Sequence, residues 1–199
     1  MRKLLFITVL ITLASVTWSF ADTYNENPTQ DTWVWNQEAW SHDGTELRTN
    51  IITVWDQRIL MQFDLSSLPT SIIINSAMLY AYNYDQYGGS ETGEIYRVTE
   101  AWTEDTYTLP DYDSSPYDST ELSGAGSYKS FDITALVQEW ADGTYDNYGV
   151  LFFGVSGSGY YIRFYSSEST AYPPYLEIDY TDTTAIQPTS LGHVKAMFN

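Results

Sequence analysis

From Ser71 to Asn83 the side chains alternate, with Ile73, Ala77, Leu79 and Ala81 set against Met78, Tyr80 and Tyr82. A period of two sends successive side chains to opposite faces of an extended strand, which a helix of about 3.6 residues per turn does not reproduce. The same period recurs from Gln57 to Leu65, where Ile59, Met61, Phe63 and Leu65 share one face and Arg58, Leu60, Gln62 and Asp64 the other. Near the end, Leu176, Ile178 and Tyr180 oppose Tyr175, Glu177 and Asp179, a strand with one buried and one wet face. Further strands are predicted at Thr32–Trp35, Glu46–Val54, Glu94–Thr99, Tyr128–Ile133, Tyr148–Val155 and Tyr160–Ser166. Asp43-Gly44, Gly88-Gly89, Gly124-Ala125-Gly126 and Gly157-Ser158-Gly159 supply turn chemistry between them. Many short strands punctuated in this way predict an all-β fold, a jelly-roll-type antiparallel β-sandwich.

One short helix interrupts the strands. In Asp132–Trp140, Asp132 or Thr134 offers a cap, Leu136 and Trp140 fall four apart on one face, and Gly143 follows as a stop. Asp105–Gly126, rich in Asp, Ser, Tyr and Pro, has little periodicity and is predicted to be a surface excursion.

The start reads Met1-Arg2-Lys3, an apolar run from Leu4 to Val16, then Ser19-Phe20-Ala21, the pattern of an export signal cut after Ala21. The expected organisation is therefore a signal at 1–21, a sandwich domain at 22–182 and a linker and tail at 183–199. The apolar run is too short to span a bilayer, and no later segment approaches the roughly 20 apolar residues required. The expected location is secreted, extracellular or at the cell surface. With no cysteine there are no disulfides, so stability must come from a core that a chain of this length can bury.

Net charge is −18, and losing Arg2 and Lys3 with the signal makes it more negative still. Phosphate recognition needs a basic patch that the remaining cations cannot assemble, which excludes nucleic acid as a partner. His42 and His193 have no serine or acid at triad spacing, and among 26 acidic residues none is singled out as a glycosidase pair. No enzymatic activity is expected.

Three strings carry a family resemblance. The first is Arg58-Ile59-Leu60-Met61-Gln62-Phe63-Asp64-Leu65-Ser66-Ser67-Leu68-Pro69 with Ile74-Asn75-Ser76-Ala77-Met78-Leu79. The second is Val98-Thr99-Glu100-Ala101-Trp102-Thr103-Glu104. The third combines Phe131-Asp132-Ile133-Thr134, Val137-Gln138-Glu139-Trp140, Asn147-Tyr148-Gly149-Val150, Phe164-Tyr165-Ser166-Ser167-Glu168 and Pro174–Tyr180. In order and spacing the chain resembles the DNRLRE domain family of secreted modules, some of which are classed as carbohydrate-binding modules. Glu46-Leu47-Arg48-Thr49-Asn50 only loosely echoes the naming motif, and Tyr107 stands where the family typically shows a Trp. The resemblance implies a jelly roll and, for some relatives, acidic-polysaccharide binding.

Tyr80, Tyr82 and Tyr84 share a face by period two, and Trp33, Trp35, Trp40 and Trp55 cluster early in the domain. Flat rings stack on sugar faces, which makes Tyr80, Tyr82, Tyr84, Trp33 and Trp35 the candidate ligand contacts, with packing between sheets as the alternative. Arg58, Asp64, Glu104 and Glu168 sit in the family-like strings and are expected to form a structural ion-pair network, Arg58 with Glu168 or Glu104. Asp111, Asp113 and Asp118, or Asp142, Asp146 and Asn147, offer oxygen ligands without a complete calcium-loop signature, so solvated turns compete with one structural calcium. The expected function is non-catalytic recognition of an extracellular or cell-surface polysaccharide; the alternative is a structural or adhesive component of a surface layer.

Overall fold

A computed structural model describes residues 21–35, 44–50, 56–104 and 109–183. The expected signal up to residue 20, the tail from residue 184, Trp40, Trp55, both histidines and residues 51–54 of one expected strand lie outside them.

The strand that organises the fold is β5, Ile72–Arg97, a single run of 26 residues. Before it come β1 (Ala21–Glu26), β2 (Gln30–Trp35), β3 (Glu46–Thr49) and β4 (Gln57–Gln62). After it come β6 (Asp118–Leu122), β7 (Ser127–Asp132), helix α1 (Thr134–Ala141), β8 (Val150–Tyr165) and β9 (Tyr175–Asp182). All pairings are antiparallel, in the order β1-β9-β5-β8-β4-β2, with β3 on β8 and β6 and β7 on β5. The first half of β5 runs between β9 and β7, and its second half between β8 and β6. The sheet curls so that its two halves enclose one core, the all-β jelly-roll sandwich with one short helix expected from the alternation.

Two glycine-bearing segments expected as turns are instead where this curl is made. Gly88 of β5 faces Gly159 of β8, and the β5–β8 register shifts on both sides of Gly88. Gly157, at φ 140°, lies so close to β5 that a Cβ there would come within 2.2 Å of the Ser90 carbonyl oxygen. The two strands bend together without separating, because only glycine tolerates both that backbone conformation and that approach.

Ala77, Leu79 and Ala81 are fully buried, as their alternation predicts, but Ile73 is 54% exposed while Ile72 and Ile74 are buried. A register shift between Ile74 and Ser76 inserts one extra residue and moves the inward phase from even to odd positions. On β4, Ile59 and Met61 face the main core, whereas Leu60 joins Val34, Val98, Trp102 and Leu151 in a second buried cluster on the outer face. Leu109 and Tyr112 pack over that cluster, and Tyr112 bridges Val98. The expected surface excursion therefore covers an apolar sheet face, and it also supplies β6.

The helix begins two residues later than the first expected cap. Asp132 Oδ1 accepts the Thr134 N–H at 3.0 Å, and the Thr134 hydroxyl in turn accepts the Ala77 N–H at 2.9 Å, tying the helix to β5. Leu136 and Trp140 are buried together, and Gly143 follows at φ 69°.

Arg58 pairs with Asp56 at 2.8 Å, not with Glu104 or Glu168. It stands on the outer face of β4, in phase with Leu60, donating to the Tyr112 hydroxyl at 2.7 Å and lying 4.3 Å over the Phe153 ring. Glu104 and Glu168 instead gather at Asp31, whose β4 partner Met61 has the inward phase. The arginine's carboxylate partner is instead its near neighbour in sequence, Asp56, which bonds both Nε and Nη2. Asp64 is exposed and accepts the Ser66 N–H within a turn, which holds its carboxyl below the usual range. Because Asp56 keeps access to water, Arg58→Ala should cost about 1 to 2 kcal/mol, mainly through lost packing on Phe153 and Tyr112. Arg48→Ala should cost less than about 1 kcal/mol. Thermal unfolding of the two variants checks the order.

Candidate functional site

Beyond its bulge, β5 sends Tyr80, Tyr82 and Tyr84 away from the core. The topology then brings further tyrosines beside them. Tyr175 of β9 pairs with Tyr80 in register, and the rings stack at 4.8 Å and 19°. Tyr165, the last residue of β8, stacks on Tyr84 at 4.5 Å and lies 5.9 Å from Tyr82. Tyr128 of β7 stands edge-on to Tyr82 at 5.1 Å and to Tyr175 at 5.4 Å.

Tyr172 completes the surface from the β8–β9 connection. Its φ of 55° is the one positive value recorded for a non-glycine residue among the described residues. A side chain in that region costs about 1 to 2 kcal/mol, and such strain persists only where the surroundings enforce it. Here it lays the ring on Tyr82 at 4.4 Å and 14°, leaving the residue 54% exposed. The buried tyrosine faces are filled by one another at ordinary stacking distances, with no space for a third ring between them. The outer face of Tyr172 is the open one, with neighbouring rings around it.

At the Tyr84 end the face closes on charge. The Tyr84 hydroxyl donates to Glu46 Oε2 at 2.6 Å, and Arg48 donates to Glu46 Oε1. Arg163, opposite Arg48 in register, lies 3.5 Å from Asp85 and 3.9 Å from Glu46. Burial pushes the Glu46 carboxyl up, but the bonds from Tyr84 and Arg48 and the charges of Arg48 and Arg163 outweigh it and hold the group below its ordinary value. Burial and the bond to Glu46 push the Tyr84 hydroxyl well above its ordinary range. Tyr84 is therefore a fixed neutral donor, and the cluster balances its own charge.

The expected ligand residues divide. Tyr80, Tyr82 and Tyr84 share this outer face. Trp33 is 3% exposed within the core, which leaves its ring no face open to a sugar, and Trp35 is partly buried and packs against that core. Their spacing of two puts both on the inward side of β2, across from Ile59 and Gln57 of β4. Tyr128, Tyr165, Tyr172 and Tyr175 were not singled out from sequence, although Tyr165 and Tyr175 sit inside the family-like strings.

A groove of about 720 Å³ lies elsewhere, between the β4–β5 connection and α1, lined by Gln62, Asp64, Leu65, Leu68, Trp140 and Asn147 among others. Three of its polar side chains have protein partners. Gln62 donates to the Asn147 carbonyl, Asn147 to the Phe63 carbonyl, and Asp64 accepts from Ser66.

Four of the loop acids considered for calcium have protein partners, Asp113 with Arg97, Asp118 with the Asp132 N–H, Asp142 with Gln138 and Asp146 with Tyr148, while Asp111 contributes its main-chain N–H to Glu100. Among the described residues no group of three or more His, Cys, Asp or Glu has the geometry of a metal site. No described helix is long and apolar enough to cross a membrane.

Comparison with known proteins gives one result. The family model of carbohydrate-binding module family 96 matches residues 22–180. A search of curated proteins gives no match.

Proposed function

Because the chain belongs to carbohydrate-binding module family 96, we propose that it recognises an extracellular or cell-surface polysaccharide, and that the tyrosine face is the surface that takes it. Family membership makes the chain a carbohydrate-binding module; that it acts without catalysis, and where it binds, are the further steps of this reading. The observation that carries it is Tyr172, held at positive φ with one ring face on Tyr82 and the other toward solvent. A sugar ring lies on that open face, while the tyrosine hydroxyls around it serve as donors and acceptors for sugar hydroxyls. The strain at Tyr172 is consistent with a residue placed for contact rather than for packing. The export signal read at 1–21 agrees with a ligand met outside the cell.

Retardation in native gels containing polysaccharide, run beside an inert protein, tests the placement. Tyr172→Ala should weaken binding by at least about tenfold, equivalent to about 1.4 kcal/mol, while leaving the melting temperature nearly unchanged. Unaltered retardation in a folded Tyr172→Ala protein would place the ligand elsewhere.

A further inference from the structure

The groove between the β4–β5 connection and α1 has an apolar side. Leu65, Leu68, Pro69 and Ala141 are half-buried along it, beside Trp140. Half-buried side chains of this kind still present carbon to water, and covering that carbon is favourable. Trp140 is 8% exposed, and its indole N–H is a buried donor with no hydrogen-bond partner. Such a donor costs free energy until an acceptor is supplied.

Strand β9 delivers the chain to the rim of this groove. Thr183 donates its N–H to the Ser71 carbonyl at 2.9 Å and its hydroxyl to the same oxygen at 2.7 Å. Ser71 follows Thr70, which lines the groove. Residues 184–199 come next, and at about 3.5 Å per extended residue the first three of them already span about 10 Å.

The composition of that segment suits the groove. Ile186, Leu191, Val194, Met197 and Phe198 are apolar, and Leu191, Val194 and Phe198 recur at the three- and four-residue spacing of one helix face. Every Asp and Glu of the chain lies between Asp22 and Asp182, so the segment carries Lys195 and no acid. Opposite charge draws such a segment to an acidic body, and Asp64 stands exposed on the groove lining.

We propose that the groove is the docking site of the chain's own segment 184–199, which lays its apolar side chains on Leu65, Leu68 and Trp140 and straps α1 to the β4–β5 connection. An apolar face of a short segment seated in an apolar groove is a common mode of peptide recognition. The strap stands apart from the tyrosine face and does not depend on where a sugar binds.

The test uses the full-length chain. A photoreactive side chain is introduced at position 191 or 198, and crosslinks formed on irradiation are mapped by mass spectrometry at several protein concentrations. In parallel, a fluorescent peptide of residues 184–199 is titrated into wild type and into a chain carrying Ile186→Asp, Leu191→Asp and Phe198→Asp, which gives the segment the acid it lacks. Crosslinks should fall within residues 62–70 or 140–147 and keep the same yield on dilution. The peptide should bind the triple-aspartate chain at least about tenfold more tightly than wild type. Adding Leu68→Lys to that chain should remove the binding while circular dichroism shows the fold intact, with Leu65→Lys as the second groove variant should the first not fold. Crosslinks confined to other parts of the chain, or equal peptide affinity for the two chains, overturn the proposal. Crosslinks between two copies that vanish on dilution assign the groove to a neighbouring molecule's segment and overturn docking within one chain.

Discussion

Wild-type protein should melt at a higher temperature near about pH 5 than near about pH 8, and Glu91→Gln should remove a large part of that difference. Glu91 is 1% exposed, on the inward phase of β5 with Gly93 and Ile95, and neither carboxylate oxygen has a hydrogen-bond partner. Burial alone raises its pKa from 4.5 to about 7. An acid raised in this way is held protonated by the folded state while the unfolded chain has released its proton. The native protein thus binds more protons across the interval, and stability falls as pH climbs through it. At about 1.36 kcal/mol per unit, the loss from Glu91 approaches about 3 kcal/mol by pH 8.

Asp31 adds to the same slope. Burial raises it to about 7, against the Ser167 N–H and with help from the charges of Glu168 and Glu104. Its Oδ2 accepts that N–H at 2.7 Å while Oδ1 has no hydrogen-bond partner. Glu46 works in the opposite sense, since its contribution is lost as pH falls through its depressed value, so an optimum near about pH 5 is expected. Melting curves for wild type, Glu91→Gln and Glu91→Gln with Asp31→Asn, taken across this range, decide the matter. A wild-type melting temperature that rises steadily from about pH 5 to about pH 8 would refute it.

Gly149→Ala should be strongly destabilising. Gly149 sits at φ 82°, one residue before β8 meets Met61, and a Cβ there would lie 2.1 Å from the Met61 carbonyl oxygen. Neither strand has room to retreat, because the Gly149 carbonyl accepts the Val98 N–H and its own N–H donates to Asn147. The expected loss is at least about 3 kcal/mol. Gly124→Ala provides the control, with φ 68° but nothing within 4 Å of the added atom. It should cost about 1 kcal/mol, the backbone term alone. Equal melting shifts in the two variants would mean that the close approach to β4 is not what requires glycine.

How much of this was legible in sequence depended on whether the signal was local. Helix α1 could be placed from Leu136, Trp140 and Gly143 because its contacts repeat every turn. The sandwich could be expected because alternation survives in β4, β5 and β9. What alternation cannot show is an interruption of its own phase: the bulge at Ile74–Ser76 leaves Ile73 in water, and nothing in Ile-Ile-Ile-Asn announces it. Glycines at Gly88-Gly89 and Gly157–Gly159 suit a tight turn and a bend in a paired ribbon equally well. β6, Asp118-Ser-Thr-Glu-Leu122, is too polar to alternate visibly.

The tyrosine stripe on one strand was readable, but its neighbours come from β7, β8, β9 and a connection, and only the folded register gathers them. The salt bridges had a signal that was passed over. Glu46-x-Arg48 and Asp56-x-Arg58 place opposite charges two apart, hence on one strand face. Trp33 and Trp35 share a face by the same spacing of two, and in the fold that face is the inward side of β2, which buries Trp33.

The sharing of β5 among four partners also sets an order in time. During synthesis β5 is finished at Arg97, yet β8 does not begin until Val150 nor β9 until Tyr175. Ile72 waits for Asp182, more than a hundred positions later. β6 and β7 can cover one edge once Asp132 is made, but the edge that β8 and β9 take stays open until they follow, the arrangement that invites pairing between separate chains. Closure of so distant a pair is slow, so the yield of folded protein should depend on dilution and on how quickly the remaining strands follow.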